Sequence, residues 1–268
     1  MFNSDVPPAG VVPAAVNKRR IRFEILLVLG LSLGASAVYS IVSITNRLTQ
    51  ETALSQQTAT LNGALSSRPV FDLIYQLLAI FFDLVPVALC VFLLWQPGRS
   101  GFARLGLDLR HPFRDLGGGV ALAIAIGAPG IGLYAVGRAL GITVAVVASP
   151  LDSYWWTIPV LVLSALRAGL QEEIIVVAYL FTRLSDLGWG RWRILFTSAV
   201  LRGSYHLYQG IGPFIGNVVM GLVFGWLYQR YGRVLPLVIA HWIIDIVSFV
   251  GYPLAVAWWP TLFGAPAS

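Results

Sequence analysis

The chain has 268 residues, of which 57% are hydrophobic and only 11% are charged. Soluble globular domains carry about 25% charged residues, so this composition excludes that class. The net charge of +6 would suit a nucleic-acid-binding surface, but most basic residues lie before the first apolar segment or in the loops between segments. We therefore predict an all-α, polytopic transmembrane helical bundle that is embedded in a lipid bilayer and binds no nucleic acid.

Apolar segments long enough for about seven or eight membrane helices follow one another along the chain. The first four are predicted at residues 23–44, 71–95, 116–136 and 153–183. The next three are predicted at residues 193–208, 212–228 and 234–250, and a partial eighth helix at residues 253–263. The fourth segment, at about 30 residues, is too long to cross upright, so it either tilts or breaks near Ala168 and Gly169.

The tail and the loops predict how the chain is arranged in the membrane. Residues 1–20 have no periodic pattern, so we predict a disordered cytoplasmic tail before a single transmembrane domain at residues 21–268. Residues 46–69 are polar and are predicted to form a partly helical external loop. Most basic residues fall on one side of the alternating spans, which the positive-inside rule makes cytoplasmic. Short loops and the lack of a eukaryotic targeting signal favour a bacterial-type cytoplasmic membrane, with the N-terminus in the cytoplasm.

A small set of polar residues lies within the predicted spans. They are Asp83, Arg167, Glu172, Glu173, Arg202, His206, His241 and Asp245. An ionised residue at the centre of a lipid-facing helix costs roughly 2.5–3.5 kcal/mol, so these side chains must face protein, water or a metal ion. His241 and Asp245 are four residues apart, as are Arg202 and His206, and each pair is predicted to share one helix face. Asp83 is interpreted as a structural acid.

The depths of these residues predict a single site. Counted from the cytoplasmic ends at about 1.5 Å per residue, Glu172, His206, His241 and Asp245 all lie roughly 10–20 Å into the membrane. A lone histidine in an apolar helix is more often a hydrogen-bonded core residue. Two histidines, three carboxylates and an arginine at comparable depth instead favour a shared polar pocket.

The polar motifs resemble those of the CAAX proteases and bacteriocin-processing enzymes, also called the Abi family of intramembrane proteases. That family carries Glu-Glu-x-x-x-Arg on one membrane helix, Phe-x-x-x-His on the next, and His-x-x-x-Asn or His-x-x-x-Asp on a later one. Here QEEIIVVAYLF supplies Glu172 and Glu173, RGSYH supplies His206, and HWIID supplies His241 and Asp245. The resemblance covers about residues 155–250, where it implies the catalytic core of an intramembrane protease.

Two positions depart from the family pattern. Val177 stands where the motif has arginine, and Arg202 stands where it has phenylalanine. We interpret these as one exchange, in which Arg202 supplies from the neighbouring helix the positive charge that would pair with Glu173. Arg167 is the other candidate partner for this carboxylate.

The residue types fit the hydrolysis of a peptide bond within a membrane. That reaction needs a water, a base to activate it and donors for the developing oxyanion. We predict that Glu172 is the general base and that His206 and His241 hold the water or polarise the scissile carbonyl. Asp245 would orient His241 or bind a water, and Glu173 with Arg202 would form a supporting scaffold.

The same residues leave the use of a metal open. Glu172, His206 and His241 would make an adequate set of zinc ligands, with a fourth position for water. The chain has no HExxH, the usual signature of a zinc protease. The resemblance implies a metalloprotease with zinc as the preferred divalent metal, whereas a metal-free glutamate mechanism would use the same side chains.

Functions from other classes also fit a buried polar cluster. A transporter or a scaffold would use these charges to line a solute path or bind a partner. A pseudo-protease is the intermediate case, and Val177 favours it. For the protease, we expect the substrate to be a membrane-associated peptide or protein.

Overall fold

A computed structural model describes residues 17–147 and 154–258, and helices make up most of this part of the chain. The predicted all-α helical bundle is confirmed. The α-helices are α1 (Lys18–Gly30), α2 (Leu33–Leu48), α3 (Pro69–Leu93), α4 (Gly101–Leu105), α5 (Pro112–Ala139), α6 (Thr157–Glu172), α7 (Leu180–Asp186), α8 (Arg191–Ser204), α9 (Ile211–Tyr231), α10 (Leu235–Ile246) and α11 (Tyr252–Trp258). Two π-helical segments (Glu173–Tyr179 and Val247–Gly251) and two short 3₁₀ helices (Leu54–Gln56 and Leu207–Gln209) join them.

The number of helices suited to crossing a membrane is smaller than the seven or eight predicted. In the described residues, four are long and apolar enough: α3, α5, α9 and the run Leu235–Ala255. The pair α1 and α2 makes a fifth if it is counted as one span. Of the helices that carry the polar site, only α10 lies in such a run, because α8 has only 14 residues and the run from α6 to α7 contains several charged side chains.

The first predicted span is bent. Its two halves, α1 and α2, meet at an angle of 56°. A Cβ atom on Gly34 would lie 2.7 Å from the carbonyl oxygen of Leu29, so this turn requires glycine there. The hydroxyl of Ser32 donates to the carbonyl of Val28 at 2.6 Å. Helix α1 begins at Lys18, so the last three residues assigned to the disordered tail are helical, while residues 1–16 lie outside the described part.

The fourth predicted span does not break near Ala168 and Gly169. Helix α6 continues to Glu172 and then widens into the π-helical segment Glu173–Tyr179, whose residues are all buried. Gly169 instead allows α10 to pack closely, since a Cβ atom there would lie 3.3 Å from the carbonyl oxygen of Val238. The irregularity thus falls at the glutamate pair, and π-helical turns are frequent at functional sites.

The last two predicted helices are one helical run. Helix α10 continues through the π-helical segment Val247–Gly251 into α11 without a loop. The predicted partial eighth helix therefore starts inside this run, and residues 259–263 of that prediction lie outside the described residues.

The loops rich in basic residues gather at one end of the bundle, where ion pairs tie the helices together. Arg183 donates to Glu24 of α1 at 2.6 Å and to the carbonyl of Leu93 in α3 at 2.6 Å. Arg233 pairs with Asp115 at 2.6 Å and with Asp108 at 3.1 Å. The hydrogen bond to Asp115 raises the pKa of Arg233 above its usual value. These contacts fix the ends of the helices that carry the polar site.

At the opposite end, the predicted partly helical loop at residues 46–69 contains a strand. Strand β1 (Thr58–Thr60) pairs in parallel with β2 (Ala145–Val147). Arg138 at the end of α5 donates to the carbonyl of Thr143 at 2.9 Å. This small sheet was not predicted, because each strand has only three residues and the pairing joins distant parts of the chain.

Candidate active site

Glu172 and Glu173 stand where α6 passes into the π-helical segment. Glu173 is fully buried and Glu172 is 7% exposed. Adjacent residues of a helix point in different directions, so the two carboxylates meet different partners. Helices α8 and α10 supply most of those partners, as the motif spacing predicted.

Glu173 holds two neighbouring helices together. Its Oε1 atom accepts a hydrogen bond from Nη2 of Arg202 in α8. The same oxygen lies 2.7 Å from Nδ1 of His241 in α10. The predicted pairing of Arg202 with Glu173 is therefore confirmed. The guanidinium is fully buried and lies over the ring of Phe224 at 5.4 Å, a further contact that favours the cation.

The second carboxylate, that of Glu172, is surrounded by donors. Its Oε2 atom accepts a hydrogen bond of 2.8 Å from the hydroxyl of Tyr205. Nε2 of His206 lies 3.7 Å from the same oxygen, and Nε2 of His241 lies 3.9 Å from it. Nη2 of Arg202 is also 3.9 Å away. The imidazoles are thus close to the carboxylate but too distant for a direct hydrogen bond.

His206 does not lie on α8, and in this the sequence analysis was wrong. The helix ends at Ser204, so Arg202 and His206 do not share a helix face. Tyr205 and His206 occupy the turn that follows, in which the backbone N–H of His206 donates to the carbonyl of Gly203 at 3.0 Å. Both ring nitrogens of His206 are buried and have no hydrogen-bond partner in the described residues. They remain available to a water or to a substrate oxygen.

His241 and Asp245 do share one face of α10, as predicted. Nε2 of His241 lies 3.5 Å from Oδ2 of Asp245. With Nδ1 directed to Glu173, the imidazole presents Nε2 to both Glu172 and Asp245. Asp245 is thus placed to orient this histidine, which has three carboxylates around it.

Arg167 does not contact the glutamate pair. Its Nη1 atom pairs with Asp83 of α3 at 3.2 Å and donates to Gln171 at 3.2 Å. The alternative pairing of Arg167 with Glu173 is therefore wrong. Asp83, which has no basic neighbour on its own helix, obtains its partner from α6.

Residues 154–247 match the family model described as type II CAAX prenyl endopeptidase Rce1-like. This segment is similar to the CAAX protease family. It starts just before α6 and ends just after α10, so it contains the glutamate pair, Arg202, both histidines and Asp245. No curated protein and no solved structure matches the chain.

Sequence analysis missed Tyr205, whose hydroxyl group contacts Glu172, the candidate base. It is 5% exposed, and its ring lies 4.9 Å from that of His206. A signal was present, because Tyr205 directly precedes the motif histidine. Ideal helical geometry would turn it about 100° away from His206, and only the end of α8 at Ser204 brings both side chains to Glu172.

The spacing of the predicted metal ligands Glu172, His206 and His241 differs from that of a zinc site. Tetrahedral zinc holds nitrogen and oxygen donors at about 2.0–2.1 Å, which puts neighbouring donors roughly 3.3 Å apart. The histidine nitrogens lie farther than this from Oε2 of Glu172, at 3.7 and 3.9 Å. Among the described residues, no group of three or more His, Cys, Asp or Glu side chains could hold a metal ion. The predicted set Glu172, His206 and His241 therefore does not fit a metal as placed.

Proposed function

We propose that this protein is an intramembrane endopeptidase that hydrolyses a peptide bond of a membrane-associated peptide or protein. The match to the CAAX protease family supports the reaction class. The observation that carries the proposal is the arrangement around Oε2 of Glu172. One carboxylate oxygen has the Nε2 atoms of two histidines, from separate elements, within 3.9 Å in a buried site.

In the proposed reaction, Glu172 takes a proton from a water while the water oxygen attacks the scissile carbonyl. The carbonyl carbon becomes tetrahedral, and its oxygen gains negative charge. His206 and His241 donate to that oxyanion through Nε2. The protonated Glu172 then gives its proton to the leaving amine as the peptide bond breaks. General base catalysis contributes about 10²–10⁴ in rate, and oxyanion donors supply a comparable factor.

Glu173, Arg202 and Asp245 act in this proposal as positioning residues. Glu173 holds Nδ1 of His241 and so directs Nε2 of that ring towards Glu172. Arg202 balances the charge of Glu173 inside the protein, where an unpaired carboxylate would be costly. Asp245 favours the doubly protonated form of His241, in which Nδ1–H donates to Glu173 and Nε2–H can donate to the oxyanion. Glu173 and Asp245 thus hold His241, which touches substrate, and Arg202 acts through Glu173.

The proposal is tested by comparing membrane proteomes. Cells would express the wild-type protein or the His206→Ala variant, and new N-termini would be identified by mass spectrometry. We expect at least one membrane protein to accumulate uncleaved with the variant and to lose a new N-terminus. His111→Ala is the matched control, because His111 is exposed at the start of α5 and lies outside the site.

The non-catalytic alternatives predict a different outcome from the same experiment. A transporter, scaffold or pseudo-protease would leave every cleavage product unchanged in the His206→Ala cells. Val177, which replaces the arginine of the family motif, favours a pseudo-protease. The contact of Arg202 with Glu173 restores a positive charge beside the two glutamates and favours the enzyme. Identical N-termini in the two proteomes would overturn the proposed function.

We expect the proposed hydrolysis to proceed without a bound metal, because the donors around Glu172 are spaced too widely for one. Purified protein dialysed against a chelator should keep its activity, and its zinc content should be well below one ion per chain. The contrary result would be stoichiometric zinc that is lost on chelation together with activity and that restores activity when added back. It would show that the activity depends on zinc, with Glu172, His206 and His241 as the candidate ligands.

We further propose that the end of the bundle with the basic loops faces the cytoplasm of a bacterial-type cell. The gathering of Arg104, Arg183 and Arg233 at one end supports this orientation, since the positive-inside rule counts short loops of this kind. The N-terminus, just before α1, would lie on the same side. A reporter enzyme that is active only outside the cytoplasm should be silent when fused there.

A further inference from the structure

A groove lies beside the candidate active site, between α2 and the turn that follows α8. It has a volume of about 300 Å³, and the residues that line it are Ser36, Tyr39, Ser40, Ser43, Tyr205 and Tyr208. Every lining side chain carries a hydroxyl group. The faces of α2 next to the groove are apolar and exposed, as at Val38 and Val42, so this polar groove interrupts a surface otherwise suited to lipid.

Two of the serine hydroxyls in the groove have no hydrogen-bond partner among the described residues. Helical hydroxyls usually donate to the carbonyl four residues earlier, as Thr45 and Ser204 do here at 2.8 Å. Ser36 and Ser43 make no such bond to any other described residue, although both are accessible. A free hydroxyl in an apolar layer costs free energy, so these two groups are suited to a polar ligand.

The third serine fixes the shape of the groove. Ser40 is 4% exposed, and its hydroxyl donates to the carbonyl of Tyr205 at 2.9 Å. The same hydroxyl accepts from the backbone N–H of Tyr208 at 3.3 Å. Helix α2 is thereby attached to the turn that carries His206.

Tyr205 connects the groove to the proposed base. Tyr205 lines the groove, and its hydroxyl donates to Oε2 of Glu172 at 2.8 Å. One side chain therefore separates the groove from the carboxylate. A chain lying in the groove would pass within one tyrosine ring of the place where the proposed hydrolysis occurs.

We propose that this groove binds an extended polypeptide segment of the substrate next to the bond that is cleaved. The inference rests on the proposed function and names the binding surface for its substrate. Ser36 and Ser43 are seven residues apart on one helix, which corresponds to about 10 Å. An extended chain covers this distance with about three residues, and its peptide groups can pair with the two free hydroxyls. The hydroxyl groups of the lining can pair with a peptide backbone, whereas an aliphatic lipid tail offers them no hydrogen-bond partner.

The test measures protection of a single thiol. Cys90 is buried, so Ser43→Cys in the Glu172→Gln background gives one accessible thiol in the described residues. Its rate of reaction with a maleimide is measured in detergent, alone and with saturating unfolded casein as the polypeptide probe. Farnesyl-cysteine methyl ester is the lipid-tail probe. Thr45→Cys, on the same exposed helix but outside the groove, is the matched control.

We expect casein to slow the labelling of Ser43→Cys at least fivefold and to leave Thr45→Cys unchanged. In the otherwise wild-type protein, Ser36→Ala and Ser43→Ala should each raise KM for casein cleavage roughly twofold to tenfold, with kcat unchanged. Equal labelling with and without casein would overturn the inference. Protection by the farnesyl probe alone would also overturn it and assign the groove to a lipid tail.

The outcomes separate this inference from the proposed function. Protection of Ser43→Cys together with identical N-termini in the two proteomes would leave the groove as a polypeptide-binding surface and overturn the protease. If the wild-type protein cleaves substrate but casein does not protect the Ser43→Cys thiol and the serine variants keep their KM, the protease is supported. The groove is then not its substrate-binding surface. If neither cleavage nor protection of the thiol is observed, both the proposed function and the polypeptide-binding groove are overturned.

Discussion

Glu172→Gln should lower kcat for the proposed hydrolysis by about 10²–10⁴ and leave KM nearly unchanged. The amide has almost the shape of the carboxylate and can still accept the hydrogen bond from Tyr205, but it cannot take a proton from water. The reduction in kcat should therefore come from a slower chemical step. The measurement is single-turnover cleavage of a substrate found in the proteome comparison, with purified protein in detergent.

A matched variant separates this effect from a loss of structure. Glu51 lies exposed in the loop after α2, so Glu51→Gln makes the same chemical change away from the site. We expect it to have wild-type kcat. The thermal unfolding of Glu172→Gln should also stay near that of the wild type. A kcat within tenfold of the wild-type value would show that Glu172 is not the base.

Arg202→Phe should destabilise the protein by about 3–5 kcal/mol, because it leaves Glu173 as a buried carboxylate without its cation. The change also introduces the residue that the family pattern has at this position. Arg202 has no exposed surface, so water cannot replace the lost contact. The free energy of unfolding, measured by denaturant titration in mixed micelles, tests this expectation.

The double variant Val177→Arg with Arg202→Phe moves the positive charge to the place where the family pattern has it. We expect it to recover most of the stability and activity lost in Arg202→Phe. Val177→Arg alone should be destabilising, because it adds a second cation to a site that is already balanced. Activity no higher in the double variant than in either single variant would show that the two departures are not one exchange.

Arg167→Met is the control for the loss of a buried arginine. Its ion pair with Asp83 is partly exposed, with 47% of the Asp83 side chain accessible, so the variant should be far less destabilised than Arg202→Phe. Equal losses in the two variants would contradict the special role of the Arg202–Glu173 contact.

The sequence was sufficient to predict the contacts that repeat along one helix. His241 and Asp245 are four residues apart within a helix that does form there, so their shared face follows from helical geometry alone. The contact of Arg202 with Glu173 was also predictable, because a buried carboxylate pair needs a cation and the motif arginine is replaced by Val177. Composition determined the all-α bundle, because so few charged residues cannot cover a soluble surface.

Only the tertiary structure decided where helices end, bend and meet. The end of α8 at Ser204 places Tyr205 and His206 beside Glu172, although a longer helix would have separated them. The hydrogen bond of Ser40 to the carbonyl of Tyr205 joins α2 to the turn after α8, and residues of both line the groove. Helical periodicity relates only residues a few positions apart. Contacts across 165 residues, like that of Ser40 with Tyr205, depend instead on how whole helices pack.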